Sequence, residues 1–159
     1  MSVLVCVLDC DFVYWGNGED EGISFTGFVK LLRSVLCAFA TLHARNRVCL
    51  VASPSHIVFD SRAGSDPMSY AVAVCHAVQR HAASLPLSAT PHSSVASVLS
   101  KALCLAHRYS PDASSSSILV IQRSPDVPRC YGSLMNSIFA AQKAEVPIDS
   151  LVLGAASGF

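Results

Sequence analysis

The sequence predicts an α/β fold: an open, mostly parallel sheet of the Rossmann-like kind, with one antiparallel edge strand and helices on both faces. Three observations predict it. Short apolar runs alternate with longer segments of helical period, the pattern of parallel strands covered on both sides. The first run, Val3 to Leu8, ends in Asp9, Cys10 and Asp11, as a central strand does when it delivers polar side chains to the carboxyl edge of a sheet. Finally, Ser133 to Leu153, SLMNSIFAAQKAEVPIDSLVL, spells out a helix, its stop and a following strand.

The elements follow in order. After the first strand, residues 16–22 form an acidic, glycine-containing loop. Ser24 suits an N-cap for a helix whose apolar face is Phe25, Phe28, Leu32, Val35 or Leu36, and Phe39, ending near Asn46. Val48 to Ala52 and Ile57 to Phe59 are short strands whose link, residues 53–56, is too brief for a crossover helix, so they pair as a hairpin with an antiparallel edge. Pro67 fits the first turn of a helix reaching about Ala83. Two prolines within residues 84–91 separate it from the next helix, about His92 to Arg108, with Val95, Val98 or Leu99, Ala102 and Leu105 or Ala106 turned inward. Ile118 to Ile121 is another buried strand, and residues 124–128 a loop at its end. In the last unit Leu134, Met135, Ile138, Phe139 and Gln142 share one face, Pro147 is expected to stop the helix, and Ile148 to Leu153 reads as a strand covered on both faces.

At 159 residues and 16.8 kDa the chain fits one domain, able to bury about two thirds of its unfolded surface. Hydrophobic residues make up 52% and charged residues 14%, below the roughly 25% charged of an average soluble domain. Either a doubly covered parallel sheet consumes the apolar residues, or a constitutive partner covers part of the surface. Eleven basic and eleven acidic residues cancel without a Lys/Arg stripe, so no direct nucleic-acid binding is expected. Apolar segments such as Phe28 to Leu42 are broken or bounded by Lys30, Arg33 and His43, so no membrane span is expected, and the start MSVLVCVLDCD lacks the basic region of a secretory signal. Seven cysteines, an odd number, lie mostly in apolar runs and read as reduced core residues of an intracellular protein. Cys104 and His107 form a lone C-x-x-H, short of the four ligands of a structural zinc site.

Three blocks resemble the family of smaller von Willebrand A-domain subunits of TFIIH: VLDCDFVYWG at 7–16, SKALCLAHR at 100–108 and ILVIQRSPDVPRCYGSLMNSIFAAQK at 118–143. The resemblance implies one von Willebrand A-like domain over residues 1–159. It also implies a non-catalytic nuclear scaffold of TFIIH, acting in RNA polymerase II transcription initiation and nucleotide excision repair. The implied partners are the larger von Willebrand A subunit with its RING-like zinc module, and other core subunits. The family's final helix and strand and its cysteine-rich zinc-binding tail are not expected within residues 1–159, so neither zinc nor another cofactor is expected here. Candidate partner contacts are Tyr14 and Trp15 after the first strand, with Arg108, Asn136 and Lys143 on helices of low charge. The aromatic pair fits equally well as a cover for the end of the sheet.

Many von Willebrand A domains hold a divalent ion through D-x-S-x-S, one carboxylate and two hydroxyls offering hard oxygens to magnesium. The same frame here holds Asp9, Asp11 and Val13. Ser93, Ser94 and Asp126 lie in loops that could converge on it, so a vestigial magnesium site of Asp9, Asp11, Ser93 and Asp126 stands as one expectation. The other is that Asp9 caps loop amides, with Asp11 in solvent. A rival class also fits the carboxylates. A PIN-like metal-dependent nuclease would use Asp9, Asp11 and Asp126, with Asp149 beyond a later strand, to hold metal ions that activate water. That chemistry requires the acids to converge and a basic groove. No G-x-S-x-G elbow is present, and the six histidines lack a paired nucleophile at telling spacing.

Overall fold

A computed structural model of the chain describes residues 2–11, 14–15, 23–53, 57–60, 66–84, 95–110, 115–125 and 128–153. Its elements are β1 (Val3–Asp9), α1 (Phe25–Leu42), β2 (Arg47–Ser53), β3 (Ile57–Asp60), α2 (Pro67–Ser84), α3 (Val95–Tyr109), β4 (Ser116–Gln122), α4 (Tyr131–Lys143) and β5 (Ile148–Val152), with a 3-10 turn at Pro128–Cys130 leading into α4. The strands form one sheet in the order β3-β2-β1-β4-β5. Only β3 runs antiparallel, paired to β2 from Cys49–Asp60 to Ala52–Ile57, as the short link required. β1 lies at the centre, with Val5 opposite Cys49 on one side and Ile118 on the other.

Alternation along the strands divides the core in two. Cys6, Leu8, Val48, Leu50 and Ala52 meet α1 and α2, while Val3, Val5, Val7, Cys49 and Val51 meet α3 and α4. α1 starts where Ser24 Oγ accepts the Gly27 N–H at 3.1 Å, and it buries Phe25, Phe28, Val29, Leu32 and Leu36. Of the pair left open in the sequence, Leu36 is the buried member and Val35 is exposed. By length and composition α1 is apolar enough to cross a bilayer, yet that face packs on the sheet as a core helix does. The helix ends at Leu42, earlier than the expected Asn46. Asn46 instead ties it off: its amide nitrogen donates to the Phe39 carbonyl at 2.9 Å, and its oxygen accepts the Ser2 N–H at 3.1 Å. α3 turns Val98, Leu99, Ala102 and Ala106 inward. Its expected first turn, residues 92–94, lies outside the described residues.

The final helix and strand depart from expectation in two ways. α4 buries Ser137 and Ala141, with Leu134 and Ile138 packed beside them, while Phe139 is 57% exposed and Gln142 is exposed too. Small residues win the buried positions because α3 lies close: Ser137 Oγ and Ser100 Oγ are 2.8 Å apart. The helix ends before Pro147, as expected, with a cap of its own. Glu145 takes a left-handed backbone at φ 55°, and the Val146 N–H donates back to the Ala141 carbonyl at 3.0 Å, closing a Schellman-type end. Lastly, β5 is parallel to β4 but sits at the sheet edge, so Leu151 and Val152 are exposed instead of covered on both faces.

At the sheet margin near the start of β2, Arg47 forms a two-pronged pair with Asp60, at 2.9 and 2.6 Å, and its guanidinium stacks 3.6 Å from the centre of the Tyr109 ring. Tyr109 donates its hydroxyl to the same carboxylate at 2.7 Å, and the Cys49 thiol lies 3.4 Å away. This network fastens the antiparallel edge strand to the end of α3. Among the described residues, none of α1 to α4 carries an acidic side chain.

Candidate functional site at the carboxyl edge

β1 continues through α1 to β2 on one side, while its other neighbour is β4, so the carboxyl end of β1 is the point where chain connections diverge. In open α/β sheets ligands bind at that crevice. Asp9 ends β1 there and is fully buried. One carboxylate oxygen accepts the backbone N–H of Asp11 at 3.1 Å, and the other accepts those of Arg123 at 3.2 Å and Ser124 at 2.7 Å. A carboxylate offers about four lone-pair sites, and three are engaged by these amides. Of the two expectations for Asp9, the geometry matches the one in which it caps loop amides.

Trp15 lies beneath this edge, 4% exposed. Its indole N–H donates to the Asp9 carbonyl at 2.9 Å, and its ring packs edge-on against Phe25 and tilted against Phe28, with centres 5.1 and 4.9 Å away. Of the two readings of the aromatic pair, Trp15 therefore covers the end of the sheet and does not face outward as an interaction residue. Tyr14 is half-buried, and Arg108, Asn136 and Lys143 are exposed, the first on α3 and the others on α4, away from the carboxyl edge.

Arg123, directly after β4, completes the arrangement. Its Nε donates to the Tyr14 carbonyl at 2.8 Å, an Nη donates to the Ile23 carbonyl at 3.0 Å, and its guanidinium carbon sits 5.0 Å from the Trp15 ring. Sequence reasoning missed this residue. The available signal was a cation immediately after a buried strand that neighbours the strand bearing Asp9.

The donor set does not fit a divalent ion held as von Willebrand A domains hold it. Val13 stands where the second hydroxyl would be, and the Asp9 carboxylate is turned onto amides. Ser93 and Asp126 lie outside the described residues, and among the described residues no three potential ligands gather around one point. Nor does Asp149 join a catalytic group. It pairs with Leu119, which lies opposite Cys6, two strands over and three positions back from Asp9, about 14 Å by strand geometry. Two-metal hydrolysis needs ions about 4 Å apart with carboxylates bridging them, and nothing here supports a nuclease. Cys10, beside Asp9, is fully buried, and burial together with the adjacent carboxylate pushes its thiol well above the ordinary value, so it is no nucleophile.

The strand order with its antiparallel edge, the helices on both faces and the Asp at the end of the central strand define a von Willebrand A-like domain. The family model "Transcription factor Tfb4" matches residues 70–159, and the chain belongs to that family. It is 28% identical to "General transcription and DNA repair factor IIH subunit TFB4" of Arabidopsis thaliana, over 97% of this chain and 58% of that protein. It is 41% identical to "General transcription factor IIH subunit 3" of Dictyostelium discoideum over 38% of this chain and 17% of that protein. Among solved structures, "Crystal Structure of the TFIIH p34 N-terminal Domain" superposes with a TM-score of 0.73 at 19% identity, over 96% of this chain and 81% of that one, a likeness of fold. The chain thus spans little more than half the length of the Arabidopsis relative.

Proposed function

We propose that this chain is the von Willebrand A-like part of a TFIIH subunit that works by holding protein partners, in RNA polymerase II transcription initiation and nucleotide excision repair in the nucleus. Catalysis is not part of this reading. The observation that carries it is the state of the carboxyl edge. Where an α/β enzyme of this architecture would present ligand-binding groups, Asp9, Trp15 and Arg123 are turned onto the chain's own backbone. Family membership supplies the biological setting, and the reading calls on neither magnesium nor zinc.

The partner we favour is the larger von Willebrand A subunit with its RING-like module. Its docking surface on this chain includes the outer ridge of α4, where Tyr131 and Phe139 are 65% and 57% exposed beside exposed Asn136 and Lys143, and the exposed Arg108 at the end of α3. Aromatic residues held outward on a helix without acidic neighbours suit the apolar centre of a protein interface.

The test is co-purification with the larger subunit, analysed by size exclusion with multi-angle scattering. A stable 1:1 complex that Phe139→Asp weakens supports the reading. A folded chain that forms no complex refutes the partner assignment, and a complex indifferent to Phe139→Asp, Asn136→Ala and Lys143→Ala together refutes the surface.

A further inference from the structure

We propose that Arg123 is the organising cation of the carboxyl edge, and that the domain sets this edge without metal. In D-x-S-x-S domains a divalent ion draws oxygen ligands from separate loops to one point. Here a cation already joins separate segments, and it is covalently part of the chain. The Arg123 guanidinium donates to the carbonyls of Tyr14 and Ile23, one early and one late in the segment between β1 and α1. Its own backbone N–H and that of Ser124 hold the Asp9 carboxylate, and its charged plane lies by the face of Trp15. One residue therefore links the ends of β1 and β4 and two separate points of the β1–α1 connection.

The chemistry suits arginine and no other side chain. Two carbonyl oxygens in different directions require a planar fork of donors, and the ammonium of lysine is a compact point charge without that fork. The indole N–H of Trp15, donated to the Asp9 carbonyl, adds a second internal donor at the same edge.

Trp15 is the chain's single tryptophan, so its fluorescence reports on this edge alone. The experiment compares wild type, Arg123→Ala, Arg123→Lys and a distant control, Arg47→Ala, by thermal melting, by emission wavelength and acrylamide quenching in native buffer, and by titration with Mg²⁺, Mn²⁺ and EDTA. Wild type should show no change in melting or emission with either ion or the chelator. Arg123→Ala should melt about 5–10 °C lower, as for loss of two charge-assisted bonds in a domain of this size, with Trp15 emission shifted to longer wavelength and quenched more readily while still folded. Arg123→Lys should fall between the two, and it carries the test if the alanine variant fails to fold. Arg47→Ala should lower the melting temperature yet leave Trp15 emission in place, separating a local role from a global one. A saturable shift of wild-type melting or emission by Mg²⁺ or Mn²⁺ overturns the proposal. So does an Arg123→Lys variant with wild-type melting, emission and quenching.

Discussion

Removing the Asp9 carboxylate tests the central claim about the sheet edge most directly. In Asp9→Ala three backbone N–H groups, those of Asp11, Arg123 and Ser124, lose their acceptor at a site with no solvent access at Asp9 itself. A hydrogen bond to a charged group contributes about 1.5–3 kcal/mol net, and a buried donor left unpaired costs about 1–3 kcal/mol. The three are not additive, since they share one carboxylate and water can enter the space left behind, so about 4–6 kcal/mol is the reasoned total. That is a large part of the 5–15 kcal/mol by which a typical domain is stable, and it corresponds to a fall of about 10–20 °C in melting temperature. Asp9→Asn keeps one acceptor oxygen but points an NH₂ group at an amide donor, and should cost about 2–3 kcal/mol. The assay is urea unfolding followed by circular dichroism and Trp15 fluorescence, with the shift in midpoint converted through the common slope. If Asp9→Ala costs less than about 1 kcal/mol, the amides find other acceptors and Asp9 is not what fixes this edge.

Three further outcomes are expected. Burial opposes the charge on Asp60, but hydrogen bonds from Arg47, Tyr109 and Cys49 outweigh it and hold the carboxyl below the ordinary carboxylate value. Its stabilising contribution is thus fully present above the unfolded value near 4 and is lost as pH falls through the lowered folded value, so Asp60→Asn should flatten the acid side of a stability-against-pH curve measured by urea melts. Ser137→Leu inserts a large side chain where α4 meets Ser100 of α3 and should cost about 1–3 kcal/mol in the same melts, whereas Gln142→Leu on the exposed side should stay within about 0.5 kcal/mol. In native labelling with a thiol reagent read by mass spectrometry, exposed Cys104 should react first. Burial pushes Cys6 and Cys49 up to about 12 and Cys75 to about 11, so these should label only on unfolding, and labelling of Cys6 in native buffer would contradict the packed sheet.

Backbone-level features were legible in the sequence because period and punctuation encode them. The apolar run ending at Asp9, the Ser24 cap and the four-residue link after Ala52 led to the correct strand, helix and hairpin. What escaped depends on neighbours distant in the chain. Apolarity alone points Phe139 inward, but α3 lies close against Ser137 and Ala141, with Leu134 and Ile138 beside them, and Phe139 falls on the opposite side of the helix. Ile148 to Leu153 reads as a strand covered on both faces because its composition is apolar, and composition does not encode which strands flank it. The candidate site was half legible. The sequence marks Asp9 with both of its readings open, whereas Arg123 offers only its place after a buried strand, and its role depends on carbonyls about a hundred residues earlier.

The position of β1 at the middle of the sheet also bears on how the chain is made. Val5 leaves the ribosome more than a hundred residues ahead of its neighbour Ile118. At synthesis rates of about 5–20 residues per second, the most apolar strand of the domain waits about 5–20 s with one flank unpaired, whatever the speed of folding afterwards. During that interval the nascent half-sheet of β1, β2 and β3 exposes the edge that β4 later covers, which makes elongation rate and chaperone supply the determinants of soluble yield.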